Sequence, residues 1–157
     1  MTIYLIRHAK AGARSQWDGG ADWLRPLVEA GETQARALLG IFKAARFGAI
    51  VSSPYVRCMQ TVVPLAAANA MPLAPSEALA EGAQLDDTLA LFKEHAEHGA
   101  VFCSHGDVIP DVLHYFAARG TDLGASPKCE KASIWMLDGD VTATPTARYA
   151  APGSALK

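Results

Sequence analysis

Hydrophobic positions fall alternately into short unbroken runs and longer periodic stretches. Ile3-Tyr4-Leu5-Ile6 is a strand-length apolar run that stops at Arg7-His8-Ala9-Lys10 before any turn residue, as expected of a strand buried on both faces. Ala49-Ile50-Val51 repeats it and ends in Ser52-Ser53-Pro54; Gly99-Ala100-Val101-Phe102-Cys103 repeats it again and ends in Ser104-His105-Gly106-Asp107. Between the runs the period changes. Val28, Gly31, Ala35, Leu38, Leu39 and Phe42 recur at helical spacing and predict a helix closing near Phe47-Gly48. A second helix is expected from Ser53, as N-cap, and Pro54, at the first helical position, to about Asn69. Its predicted apolar face is Val56, Met59, Val63 and Ala66, with Arg57 off the centre of that face. Leu85, Leu89, Phe92 and Ala96 mark a third helix with Asp86 and Asp87 in its first turn. Val108, Ile109, Val112, Leu113 and Phe116 mark a fourth, which Pro110 pins to a start near Asp107 and which closes near Gly120.

Prolines allow Pro72-Leu73-Ala74-Pro75 only a brief edge strand. Ser133-Ile134-Trp135-Met136-Leu137, the turn Asp138-Gly139 and the alternating Val141-Thr142-Ala143-Thr144 predict a closing hairpin. The alternation implies an α/β fold: a three-layer α/β/α sandwich, its sheet mostly parallel with an antiparallel C-terminal edge hairpin. No repeat or composition break divides the chain, so residues 1–157 are expected to form a single domain. The stretch from Lys10 to Leu27, with Gly12, Trp17, Asp18, Gly19, Gly20 and Trp23, has no period and is expected to be a long loop of the kind that covers sites.

Half of the 157 residues are hydrophobic and the formal charge is −2. That excludes a general basic field for nucleic acid, so an anionic ligand must be met by a local cluster. Cys58, Cys103 and Cys129 have no metal-like spacing, and an odd number of cysteines in apolar surroundings points to a reducing, cytoplasmic setting. Neither a leader pattern nor a membrane-length apolar run is present, and no membrane partner is expected.

Strands joined by single helices run parallel, so Arg7-His8, Ser52-Ser53 with Arg57 close behind, and Ser104-His105 should meet at one edge of the sheet. Two imidazoles and two guanidinium groups without a compensating acidic run repel one another, and a bound dianion such as a phosphoryl group resolves the conflict. Arg57 near the free amides of a helix start signals the same thing. Lys10, Arg25 and Lys131 are candidates for a basic rim, and Ser104 joins the substrate-binding set. Neutral imidazole is available near pH 7, which suits His8 as a nucleophile toward phosphorus. His95, His98 and His114 read as helix-surface or packing residues, and Cys58 as a bystander.

These residues resemble a known family, the histidine phosphatase superfamily, whose phosphoglycerate-mutase-like members carry Arg-His-Gly or Arg-His-Ala after the first strand, here Arg7-His8-Ala9. The resemblance extends through Asp22, Arg25-Pro26-Leu27, Gly31, Ser52-Ser53-Pro54, Arg57, Gln60-Thr61 and Ser104-His105-Gly106. Arg-His-Ala-Lys with the Arg-Pro-Leu segment looks most like the small SixA-like phosphohistidine phosphatases and the phosphatase domain joined to some Nudix hydrolases; no Nudix segment occurs in these residues. By that resemblance His8 takes the phosphoryl group, Arg7, Arg57 and His105 hold its oxygens, and a carboxylic acid protonates the leaving group. No metal or other cofactor is implied.

Two carboxylates compete for the acid's role. Glu81, followed by Gly82, stands where larger members of the family keep theirs; Asp107 follows His105 but has a structural task as helix N-cap. The expected activity is a metal-independent phosphohydrolase acting on a phosphorylated small molecule or a phosphohistidine protein. The competing readings are a phosphate-binding regulatory module without turnover, and a phosphomutase, for which the chain lacks obvious insertions to retain an intermediate.

Overall fold

The computed structural model describes residues 1–157. Six strands form one sheet in the order β3-β2-β4-β1-β5-β6, where β1 is Thr2–Arg7, β2 Ala49–Ser52, β3 Leu73–Pro75, β4 Ala100–Ser104, β5 Ile134–Asp138 and β6 Thr146–Ala150. The four strands from β3 to β1 are mutually parallel; β5 is antiparallel to β1, and β6 to β5. This is the expected α/β architecture. The apolar runs of β1 and β4 pair at the centre, Ile3 opposite Ala100 and Arg7 opposite Ser104, and their buried side chains face both sides of the sheet.

Four helices cover the two faces: α1 Glu29–Ile41, α2 Val56–Ala68, α3 Leu85–Glu94 and α4 Val108–Ala117. On one side Leu38 and Phe42, at the end of α1, and Cys58, Val62, Leu65 and Ala66 of α2 pack on Tyr4, Ile6, Ile50, Val101 and Cys103. On the other, Phe92 of α3 and Ile109, Val112, Leu113 and Phe116 of α4 pack on Ile3, Leu5, Val51 and Phe102. The sheet is thus the middle of three layers; the strand runs and the predicted stripe of α4 supply core residues, whereas α2 buries a different face from the one its hydrophobic positions suggested.

Three local expectations are corrected. α2 starts at Val56 with Tyr55 at its N-cap position, not at Ser53-Pro54, because Ser53 is committed to the site described below. Its buried face is Arg57, Cys58, Thr61, Val62, Leu65 and Ala66, whereas Val63 is exposed: the helix turns toward the sheet the face that carries Arg57, about one position round from the one its hydrophobic residues suggested. In the closing hairpin the second strand is Thr146–Ala150, and Val141–Thr144 belongs to the connection, where Asp140 Oδ1 accepts from both the amide and the hydroxyl of Thr142. A side chain satisfying nearby backbone competes with ladder formation.

The loop after β1 is drawn onto α1. Val28 N–H donates to the Lys10 carbonyl at 3.1 Å, and a Cβ on Gly31 would stand 2.0 Å from that carbonyl oxygen, so only glycine permits this approach. No helix is long and apolar enough to cross a membrane, and all three cysteines are free.

Candidate active site

The C-terminal ends of β1, β2 and β4 lie side by side, and the main chain carries the ladder one residue past the ends of β1 and β2. His8 N–H donates to Ser104 O at 3.0 Å, and Ser53 N–H donates to Cys103 O at 2.9 Å. Consequently His8, Ser53 and His105 emerge together at the sheet edge.

His8 is buried, with Nδ1 against the Ala9 carbonyl at 2.8 Å. A carbonyl only accepts, so Nδ1 carries the proton and Nε2 keeps its lone pair. Burial, despite the opposing hydrogen bond to Ala9 and with help from the charges of His105, Arg57 and Arg7, lowers the His8 pKa from 6.5 to about 3. The ring is therefore neutral across the physiological range. The next residue is clamped as well: Ala9 N–H donates to Thr61 Oγ1 at 2.9 Å, and that hydroxyl donates to Arg57 O at 2.7 Å, which ties the His8 backbone to α2.

The His105 ring lies edge-on to His8, with centroids 5.4 Å apart. Its Nε2 is 2.8 Å from Ser53 Oγ and 3.4 Å from Cys58 Sγ, and Tyr55 packs against it at a centroid distance of 4.7 Å. Ser53 thus orients the second imidazole instead of capping α2. The Arg7 guanidinium lies over Gly106 and is anchored through Nη1 to Cys129 O at 2.5 Å.

Arg57, nearly inaccessible to solvent, reaches two acids. Nη1 donates to Asp22 O at 3.1 Å, and Nη2 to Asp22 Oδ2 at 3.1 Å and to Glu81 Oε2 at 3.2 Å. Arg14 grips the same pair from outside, 3.4 Å from Asp22 and 2.9 Å from Glu81, and Arg25 donates to Asp22 at 2.9 Å. Desolvation opposes ionisation of Asp22, but the Arg25 hydrogen bond and the charges of Arg57, Arg25 and Arg14 hold its pKa below the usual carboxylate value. The premise that the cationic cluster has no compensating acids is corrected here: Asp22 and Glu81 thread between three arginines. Among the buried donors of this cluster, Nε of Arg7 and Nε of Arg57 have no protein partner.

Glu81 lies in the turn preceding α3, where Gly82 takes a φ of +79°. The Gly82 N–H donates to Asp107 Oδ2 at 2.8 Å. Asp107 makes no side-chain cap of α4, so its expected N-cap task is replaced by holding the Glu81 turn.

A polar cavity of about 300 Å³ results, lined by Arg7, His8, Arg14, Arg25, Arg57, Glu81, His105, Gly106, Asp107 and Lys131, with no hydrophobic residue. Two residues expected in the site stand outside it. Lys10 is exposed, and the backbone on either side of its side chain is spent on Gln34 and Val28. Ser104 is buried, its hydroxyl donating to Leu79 O at 2.7 Å, which ties β4 to the segment leading to Glu81. Arg14 was not foreseen, since a lone arginine in an aperiodic loop carries no signal. Lys131 enters from the segment before β5; burial, then Arg7, Arg25, Lys10 and Arg57, push its pKa down.

A sequence profile of the histidine phosphatase superfamily (branch 1) matches residues 3–86, more than half of the chain. The chain belongs to the histidine phosphatase superfamily. It is 31% identical over 148 residues to an 8-oxo-(d)GTP phosphatase of Mycolicibacterium smegmatis, covering 89% of this chain and 46% of that protein; the chain spans about half the length of this curated relative. Among solved structures, a SixA protein of Agrobacterium tumefaciens superposes with a TM-score of 0.78 at 25% identity, over 96% of this chain and 98% of that one. A protein histidine phosphatase SixA complexed with tungstate shares the fold, with a TM-score of 0.76 at 17% identity over 97% of each chain.

Proposed function

We propose that this histidine phosphatase-like chain hydrolyses phosphate monoesters or phosphoramidates through a phosphohistidine formed on His8. The observation that carries the reading is the neutral His8 ring, fixed with its Nδ1 proton on Ala9 O and its Nε2 lone pair available. That lone pair attacks phosphorus, a P–N bond forms, and the bond from phosphorus to the leaving oxygen or nitrogen breaks. Arg7, Arg57 and His105 take the charge of the phosphoryl oxygens, and the unpaired Nε donors of the two arginines support this role. With Ser53 holding Nε2 of His105, Nδ1 faces no protein acceptor and donates to a phosphoryl oxygen. Glu81, whose carboxyl group lines the cavity, is the group that protonates the leaving atom. Water then attacks the phosphohistidine, returns a proton to Glu81 and releases phosphate.

Arg25, Arg14 and Lys131 supply the positive rim that draws the dianion in. The three free cysteines support a cytoplasmic setting. One relative is named an 8-oxo-(d)GTP phosphatase and another a protein histidine phosphatase, which supports a phosphorylated small molecule or a phosphohistidine protein as the substrate. A screen containing both kinds, run against a His8→Ala control, tests the reading. Turnover that depends on His8 supports it; vanadate binding with no turnover on any substrate makes the chain a binding module.

A further inference from the structure

Next to the basic pocket lies a hollow of different character. Trp23, Pro54, Tyr55 and Glu77 line a cleft of about 430 Å³. Trp23 is 50% exposed, a large apolar ring left in solvent on a short 3₁₀ turn, Asp22–Leu24. Every lining residue is attached to the phosphoryl machinery. Trp23 follows Asp22, which holds Arg57 through both its carbonyl and its carboxylate. Tyr55 packs against the His105 ring, and the Arg57 guanidinium stands 4.9 Å from the Tyr55 ring centroid. Glu77 opens the turn Glu77–Leu79, which runs directly into Glu81.

Phosphoryl transfer is in line, so the leaving group departs on the side opposite the attacking imidazole. In the mechanism above that side is Glu81's, and the segment bearing Glu81 also carries Glu77. We infer that the Trp23–Tyr55 cleft is the leaving-group subsite, and that it takes the planar, N–H-bearing ring of a nucleoside phosphate. The inference rests on the phosphohydrolase reading. Two aromatic side chains and a proline favour a flat ring, because stacking on aromatic faces needs no particular substituent pattern. The Glu77 carboxylate at the edge rejects a second phosphate and rewards N–H donors on the ring.

The test compares wild type with Trp23→Ala, Trp23→Phe and Glu77→Gln, using guanosine 5′-monophosphate, glycerol 3-phosphate and a phosphohistidine peptide as substrates and vanadate as the phosphoryl probe. Guanosine monophosphate is chosen because its base edge presents adjacent N–H donors. Trp23→Ala is expected to raise KM for guanosine monophosphate about tenfold or more, with a smaller effect on kcat. The shift for glycerol 3-phosphate and in the inhibition constant of vanadate should be several-fold smaller, Trp23→Phe should restore most of the loss, and Glu77→Gln should weaken the nucleotide selectively. Equal losses on the ester substrates, no loss, or a wild-type preference for glycerol 3-phosphate or the phosphohistidine peptide would overturn the subsite. Should wild type hydrolyse none of them, the phosphohydrolase reading fails separately, and calorimetric binding of guanosine monophosphate decides the subsite. Trp23-dependent affinity supports it, and affinity unmoved by Trp23→Ala overturns it.

Discussion

Arg7 and Gly106 are in a contact that only glycine allows: a Cβ at residue 106 would sit 2.7 Å from Arg7 Cζ and 2.8 Å from Nη2. The Arg7 guanidinium therefore rests flat on the backbone that follows His105. Gly106→Ala should push the guanidinium off its seat, the backbone beneath it being the stiffer partner. Vanadate affinity and kcat/KM should each fall about ten- to a hundredfold, on the scale of losing one well-placed charged donor. Urea unfolding should change little, because the displaced group is the end of a flexible side chain. Unaltered vanadate inhibition in Gly106→Ala would show that Arg7 does not hold the oxyanion.

Asp107 works through the Gly82 amide, so the choice of substitution matters. Asp107→Asn keeps an acceptor oxygen for Gly82 N–H and should retain most activity; Asp107→Ala frees the turn and should mimic, more weakly, the loss of Glu81. Glu81→Gln should cut turnover of alkyl phosphates by about a hundredfold while largely sparing an aryl phosphate, whose leaving oxygen needs little protonation. The slope of log kcat against leaving-group pKa measures this. An unchanged slope in Glu81→Gln, with a steeper one in Asp107→Asn, would transfer the acid's role to Asp107.

Arg57 is both a ligand for the anion and a structural cation. Arg57→Ala removes a buried side chain and leaves Asp22 and Glu81 without the cation between them, so it should lower both catalysis and stability. Arg57→Lys should restore part of the stability but little of the rate, because an ammonium cannot span two carboxylates and a phosphoryl oxygen in a planar fork. Parallel recovery of rate and stability in Arg57→Lys would contradict the division.

Folding stability should fall as the solution is acidified from about pH 6.5 toward pH 3, because His8 takes a proton in the unfolded chain at its ordinary pKa of 6.5 but in the folded chain only near 3. Above pH 6.5 His8 contributes no slope, since both states are neutral. Within the window its share is at most about 1.4 kcal/mol per pH unit. A His8→Gln variant should lose this part of the dependence in urea titrations at several pH values. An identical pH profile for wild type and variant would show that His8 is not held neutral.

The three converging strand ends and the pair His8 and His105 were legible because each follows from an uninterrupted apolar run that breaks at a charged or polar residue. What escaped reading has physical reasons. Ser53 has the chemistry of an N-cap, yet its hydroxyl is taken by His105, a partner 52 residues away that no local pattern signals. Asp107 likewise left its helix for Gly82, 25 residues distant. Burial of Arg57 reversed the usual rule for charged residues, so a face chosen by hydrophobicity alone missed it. Lys10, in contrast, was expected in the basic rim, but it is exposed and does not line the cavity, while its backbone N–H is bound to Gln34.

The central claim is a covalent bond between phosphorus and His8 Nε2. Rapid mixing with a labelled phosphate ester, quenching in alkali and peptide mapping by mass spectrometry test it most directly, since phosphoramidates survive alkali and break in acid. The label should appear on the peptide containing His8, reach a level stoichiometric with enzyme during a fast substrate's burst, vanish on acidification, and be absent in His8→Ala. Label on His105, Ser104 or Cys58 instead, or full turnover in His8→Ala, would contradict the account.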